Sequence, residues 1–221
     1  MTKKLRLAFV TIGQSPRSDI VPEMLSDIGG DVEAHEFGAL DDVPEDEIRA
    51  LVPAPGETSF ATRLRNGREV TISKERVEIR LEELLERIDQ QGFDAIVLLC
   101  TGTHVKPLRR TFMIESQRVV DSMVEALAAS SQRLGVILPL ARQVEEFPKR
   151  HVFSRTPKLV AASPYAGDDI AERAAALADC DLVVMHCMGY SEAMRAAARQ
   201  SISAPVLLSR RIVSGAVRQI I

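Results

Sequence analysis

Phe93-Asp94-Ala95-Ile96-Val97-Leu98-Leu99-Cys100-Thr101-Gly102 and Asp181-Leu182-Val183-Val184-Met185-His186-Cys187-Met188-Gly189 are two versions of one pattern. Each has an acidic residue, then an apolar run, then cysteine, one residue and glycine. A short continuous apolar run reads as a strand buried on both faces, the kind that parallel sheets place between layers of helices. Runs of this kind recur near Leu5–Thr11, Val32–Phe37, Leu134–Leu138, Leu159–Ala162 and Val206–Leu208, beside Ala95–Leu99 and Leu182–His186. Amphipathic stretches fall between them, and their periodicity predicts helices over Pro16–Asp27, Lys74–Gln91, Ser116–Ser130, Asp168–Ala178, Ser191–Gln200 and Arg211–Ile220. The alternation specifies an α/β protein.

The strand–helix units lie on both sides of about residue 115, and each half holds one strand that ends in cysteine. We therefore expect two pseudo-symmetric parallel-sheet lobes, residues 1–115 plus 204–221 and residues 116–203. No low-complexity linker separates them, so they are expected to pack around a shared cleft. One segment breaks the alternation. Thr58–Arg65 and Arg68–Ser73 flank Asn66-Gly67, a dipeptide suited to a type I′ turn, so a hairpin is expected near residues 58–73. Its arginines, Arg63, Arg65 and Arg68, read as solvated edge charges.

Composition narrows the function classes. The 221 residues are 46% hydrophobic and 27% charged, and a formal charge of −3 offers no cationic field to a nucleic-acid backbone. The first apolar run, Leu5–Val10, is too short for a signal-peptide core or a membrane span, so a cytoplasmic protein without a membrane partner is expected. Three cysteines in a chain of this length are not a disulfide framework and read as thiols. Neither G-x-G-x-x-G nor a P-loop occurs, which leaves nucleotide binding without support. A metal set of Cys100, His104 and Cys187 lacks any recognised ligand spacing, so no metal and no cofactor are expected. Oligomeric state, including a homo-oligomer, is left undecided.

In open α/β sheets ligands sit outside the carboxyl ends of the strands, which is where Cys100 and Cys187 fall. The backbone around Thr101, Gly102 and Thr103, and around Met188, Gly189 and Tyr190, is placed to receive a carboxylate, and the glycines permit close approach. A strand-end cysteine is more often a small buried hydrophobe than a catalyst, and Cys180 takes that reading. The repeated context of the other two favours function: two thiols facing one carbon can remove a proton from one side and return it from the other. His104 is a candidate accessory group. His186 is weaker, because strand alternation turns it away from the side of Cys187. After the first strand, Thr11, Gln14 and Ser15 offer hydroxyl and amide donors, and Arg17 has the reach to hold a carboxylate.

Three motifs together, Thr11-Ile12-Gly13-Gln14-Ser15-Pro16-Arg17, Leu99-Cys100-Thr101-Gly102-Thr103 and His186-Cys187-Met188-Gly189-Tyr190, resemble the AroM family over nearly the whole chain. More distantly, the cysteine loops resemble the aspartate/glutamate racemase superfamily. That resemblance implies paired α/β lobes with one thiol each and cofactor-independent chemistry at the carbon beside a carboxylate. Amino-acid racemases usually carry Asn-Thr after the first cysteine and Thr-His after the second; Thr101-Gly102 and Met188-Gly189 stand here instead.

The leading expectation is a racemase, epimerase or isomerase of a small carboxylate, with Cys100 and Cys187 as the acid/base pair. A lyase or decarboxylase using one thiol is the alternative. A non-catalytic protein that binds a small carboxylate is the reading outside enzymology.

Overall fold

The computed structural model describes residues 4–221, which form two compact units, one made of the residues up to Gln117 together with Ser214–Ile221 and the other of Arg118–Val213. The first contains a four-stranded sheet of β1 (Leu5–Thr11), β2 (Val32–Gly38), β5 (Ala95–Leu98) and β6 (Phe112–Glu115), in the order β2-β1-β5-β6 with every pairing parallel. The second contains β7 (Leu134–Leu138), β8 (Lys158–Ala161), β9 (Leu182–Met185) and β10 (Val206–Leu208), in the order β8-β7-β9-β10, again all parallel. Numbered within each unit, both sheets are 2-1-3-4. The pseudo-repeat seen in the sequence is thus a repeat of topology.

The central strands form because their apolar runs are covered on both faces. All four residues of β5 and of β9, and all five of β7, are buried. Helices α1 (Val21–Ile28), α3 (Lys74–Ile88), α6 (Ile170–Ala174) and α7 (Glu192–Ala198) lie in crossovers between strands of one sheet, α4 (Ser116–Ala128) leads from the first sheet to the second, α8 (Ser209–Val217) follows the last strand, and α3 sends Val77, Leu81, Leu84, Leu85 and Ile88 inward at helical spacing. The Ser73 side chain caps α3 by accepting the Arg76 N–H. No helix among the described residues is long and apolar enough to cross a membrane.

Three expectations need correction. The C-terminal return falls at Ser214 rather than 204, because β10 pairs with β9 and stays in the second unit. The predicted helix from Pro16 starts only at Val21: the N–H groups of Ile20 and Val21 both go to the Arg17 carbonyl, in a turn. The hairpin, β3 (Ser59–Arg63) and β4 (Glu69–Ser73), is present, but among the described residues no non-glycine has positive φ, so Asn66-Gly67 is not a type I′ turn. Instead the Gly67 N–H closes a turn on the Leu64 carbonyl, and Gly67 alone takes the left-handed conformation, at φ 90°. Three elements were not expected at all: α2 (Glu45–Ala50), α5 (Gln143–Arg150) and β6.

The hairpin lies on the loop after β1. Gln14 N–H donates to the Arg63 carbonyl, and a Cβ at Gly13 would stand 2.3 Å from Thr62 Oγ1 and 2.6 Å from the Arg63 carbonyl oxygen. Glycine is needed at position 13 because hairpin backbone occupies the space of a side chain. Gly13→Ala should therefore cost about 1–3 kcal/mol through overpacking. Urea unfolding measures it, and an unchanged midpoint would show that the hairpin moves aside freely.

Candidate active site

In a 2-1-3-4 parallel sheet the crossovers leave the first strand toward one edge and return on the third strand beyond it, so a crevice opens between the carboxyl ends of strands one and three. In the first unit those strands are β1 and β5, joined at their ends by Leu99 N–H to the Val10 carbonyl at 2.7 Å. Thr11 and Cys100 come next. In the second unit they are β7 and β9, joined by His186 N–H to the Ile137 carbonyl at 3.0 Å. Cys187 follows directly. Each thiol therefore stands at the switch point of its own sheet.

The loop after β1 is satisfied by groups of its own unit. Thr11 Oγ1 accepts from Gly13 N–H and from Arg17 Nη1. Ser15 donates its N–H and its hydroxyl to Asp41 at 2.6 and 2.7 Å, and Gly38 N–H donates to the same carboxylate. Gln14 gives Nε2 to the Leu40 carbonyl and takes the Arg65 N–H on Oε1. The Arg17 guanidinium, 4% exposed, forms a two-point pair with Asp19 at 2.9 and 2.8 Å. Burial pushes the Asp19 carboxyl up, but the Arg17 hydrogen bonds and charge, with Arg63, outweigh it and hold the group below its ordinary range. Arg17 is thus a buried clamp of this loop, not a side chain reaching outward. The hairpin arginines are engaged too: Arg63 pairs with Asp19, Arg65 with Asp41 and Arg68 with Glu45.

Around Cys100 the picture differs. The residue is 9% exposed and belongs to the apolar core of the first unit, beside Val105 and Leu98. Thr101, Gly102 and Thr103 are buried, and Thr103 Oγ1 has no hydrogen-bond partner among the described residues. His104 is exposed, with its N–H on Glu78 and its Nε2 3.3 Å from Gln117 Nε2 at the start of α4. A surface cavity between α3 and residues 105–109 contains none of the expected site residues.

Cys187 is more accessible, and its sulfur accepts the Gly189 N–H at 3.4 Å. Behind it lies a residue the sequence reading passed over. Arg210, 0% exposed, donates to the carbonyls of Met188 and Gly189 and so fixes the backbone of the thiol loop. Its position immediately after a parallel strand and one serine was the available signal. Met188 and Tyr190 are buried, and the Tyr190 hydroxyl donates to the Ala162 carbonyl at 2.7 Å. At Gly189 a Cβ would lie 2.2 Å from Tyr165 Oη, so this glycine accommodates Tyr165 of its own unit rather than a ligand.

Also missed were Asp121 and His151, which meet His186, a residue weighed from sequence only as a neighbour of Cys187. Asp121 on α4 accepts from His151 Nδ1 at 2.9 Å through one oxygen and from His186 Nε2 at 2.8 Å through the other. Both imidazoles are buried, with Phe147 stacked on His151 and edge-on to His186. Burial raises the Asp121 carboxyl, but the two histidine hydrogen bonds prevail and hold it well below the usual carboxylate range. Burial likewise pushes His151 down to about 4, against the opposing pull of Asp121. Strand alternation had placed His186 away from Cys187, and this cluster is where it goes. The three residues lie 30 and 35 positions apart in the chain, so no spacing announced them.

Because Arg17 neutralises a mostly buried Asp19, Arg17→Ala should destabilise the first unit by about 1.5–3 kcal/mol, the usual worth of hydrogen bonds to a charged group. Chemical denaturation reads it. Unaltered stability would mean that the Asp19 pair does not hold the loop.

The same architecture occurs in solved structures of several activities. A variant of the maleate cis-trans isomerase from Nocardia farcinica, with a covalently bound succinylcysteine intermediate, matches with TM-score 0.58 at 12% identity, over 99% of this chain and 93% of that one. Unliganded arylmalonate decarboxylase matches with TM-score 0.56 at 12% identity, over 98% and 92%. Glutamate racemase from Thermus thermophilus, in complex with β-chloro-D-alanine, matches with TM-score 0.59 at 15% identity, over 98% and 80%. At such identities the likeness is one of fold, the two-lobed aspartate/glutamate racemase-like fold. No curated protein sequence matches the chain. The family model described as AroM protein matches residues 7–221, and the chain belongs to the AroM family.

Proposed function

We propose that the protein is a cofactor-independent racemase, epimerase or isomerase of a small carboxylate, with Cys100 and Cys187 as paired acid/base groups. One observation carries this reading: the two thiols occupy equivalent ends of the third strand in two sheets of identical order, each at its switch point. Proteins of this fold include an isomerase, a decarboxylase and a racemase, all acting on carboxylates or their adjacent carbons by name. In the proposed reaction one thiolate takes the proton beside the carboxylate, and the other thiol returns a proton to the opposite face. The negative charge that develops on the carboxylate side is stabilised by donors fixed in advance. Thr103 is the first candidate, because its hydroxyl is buried and has no hydrogen-bond partner among the described residues. The side chains of Gln14, Ser15 and Arg17 already hydrogen-bond to groups of their own unit, which favours an anchor on the β5 loop over one on the β1 loop.

The unequal exposure of the thiols favours a second reading. Cys100 is packed as a core residue, whereas Cys187 is accessible and hydrogen-bonded through sulfur. A lyase or decarboxylase needs one thiol to protonate a carbanion, and Cys187 suits that role alone.

A panel of chiral α-substituted carboxylates in D₂O, followed by NMR for deuterium beside the carboxylate, tests the class. The two-thiol reading expects exchange with at least one compound, and loss of turnover by about 10²–10⁴-fold in both Cys100→Ser and Cys187→Ser. Retained turnover in Cys100→Ser with loss in Cys187→Ser would select the one-thiol reading.

A further inference from the structure

We propose that Asp121, His151 and His186 form a binding site for a divalent transition-metal ion, zinc being the best match, wholly within the second unit. The donors come from three separate elements: α4, the residue after α5, and the end of β9. One carboxylate oxygen and one nitrogen from each imidazole, all ligand atoms, lie within 4.8 Å of one another. Two imidazoles and a carboxylate are the N and O donors that zinc takes at about 2.0–2.2 Å, three protein ligands with water as the fourth.

The surroundings fit the same chemistry. The two imidazole side chains are each 2% exposed, whereas the Asp121 side chain is 26% exposed. An ion would therefore enter, and keep its water, on the carboxylate side. Phe147 covers the opposite side, with its ring centroid 4.2 Å from that of His151 and 5.1 Å from that of His186. The imidazole planes are inclined at 77°, so their nitrogens approach the carboxylate from different directions, as ligands of one ion must.

Metal binding requires a defined rearrangement. A carboxylate only accepts, so the facing nitrogens, His151 Nδ1 and His186 Nε2, carry the protons in the hydrogen-bonded arrangement. To bind an ion each ring moves its proton to the other ring nitrogen and presents the facing lone pair. His151 Nδ1 and His186 Nε2 stand 2.9 and 2.8 Å from different oxygens of Asp121, so ligation through one oxygen requires the carboxylate to turn and the rings to draw back toward the edge of about 3.3 Å of a tetrahedron with bonds of about 2.0 Å. These are movements of side chains alone. The thiol chemistry proposed above does not draw on this ion, and the site is distinct from the Cys100, His104 and Cys187 set considered from sequence.

The test uses the full chain, stripped with chelator and titrated at neutral pH with Zn²⁺ by calorimetry and with Co²⁺ by visible absorption. One equivalent per chain is expected, with the absorption bands of low-coordinate Co²⁺. Asp121→Asn, which keeps the shape of the side chain, and His151→Gln should each weaken binding at least tenfold. A variant with Cys100, Cys180 and Cys187 all changed to Ser should bind as the parent does. Circular dichroism confirms that each variant is folded, and the parent stoichiometry stands even if His151→Gln is not. Binding below one equivalent in the parent would overturn the proposal. So would full affinity in Asp121→Asn, or loss of binding in the cysteine-free variant; in those cases the three residues serve only as a hydrogen-bonded clamp.

Discussion

Every strand in both four-stranded sheets runs parallel to its neighbours, and from that constraint the rest follows. A parallel strand cannot be joined to the next by a tight turn, so the chain must cross back before each new strand, through a helix in most connections and through the loop of residues 99–111 between β5 and β6, and the strands of a sheet end at the same edge. The 2-1-3-4 order then parts the loops of the first and third strands, and leaves Cys100 beside Thr11 and Cys187 beyond the end of β7. The placing of these residues at the sheet edge is a consequence of topology before it is one of side-chain chemistry.

A loop at a strand end must also be held, since its backbone lacks a ladder partner. The two units solve this with a buried guanidinium each. Arg17 ties the β1 loop through Thr11 and Asp19, and Arg210 ties the Cys187 loop through two carbonyls. An arginine suits the task because its planar fork makes several fixed hydrogen bonds at once. The loop around Cys100 is secured differently, by core packing and by the contact of His104 with Gln117. The two thiols differ in exposure as well, Cys100 being buried and Cys187 only partly so.

The sheets were legible because β1, β5, β7 and β9 are buried on both faces and read as apolar runs whatever surrounds them. The strand β6 was not: it has four residues, Phe112 is 60% exposed, and it passes directly into α4 at Ser116. Helix α5 was hidden by its charges and by Pro148 inside it. The thiols were singled out because their context repeats. Arg17 was singled out as a residue of the β1 loop, but charge in a sequence does not say which way it points, and its pairing with Asp19 two positions on is a fact of the structure. The grouping of Asp121 and His151 with His186 was out of reach, since three elements brought together by packing leave no local pattern.

The central claim is that each thiol serves one face of the same carbon. It is tested most directly by solvent exchange on separate enantiomers of whichever chiral carboxylate the protein accepts, in Cys100→Ser and Cys187→Ser. The account predicts complementary behaviour: each variant exchanges the proton of one enantiomer for deuterium without inverting it, and the two variants choose opposite enantiomers. Exchange of the same enantiomer by both variants, or undiminished inversion in either, would contradict it.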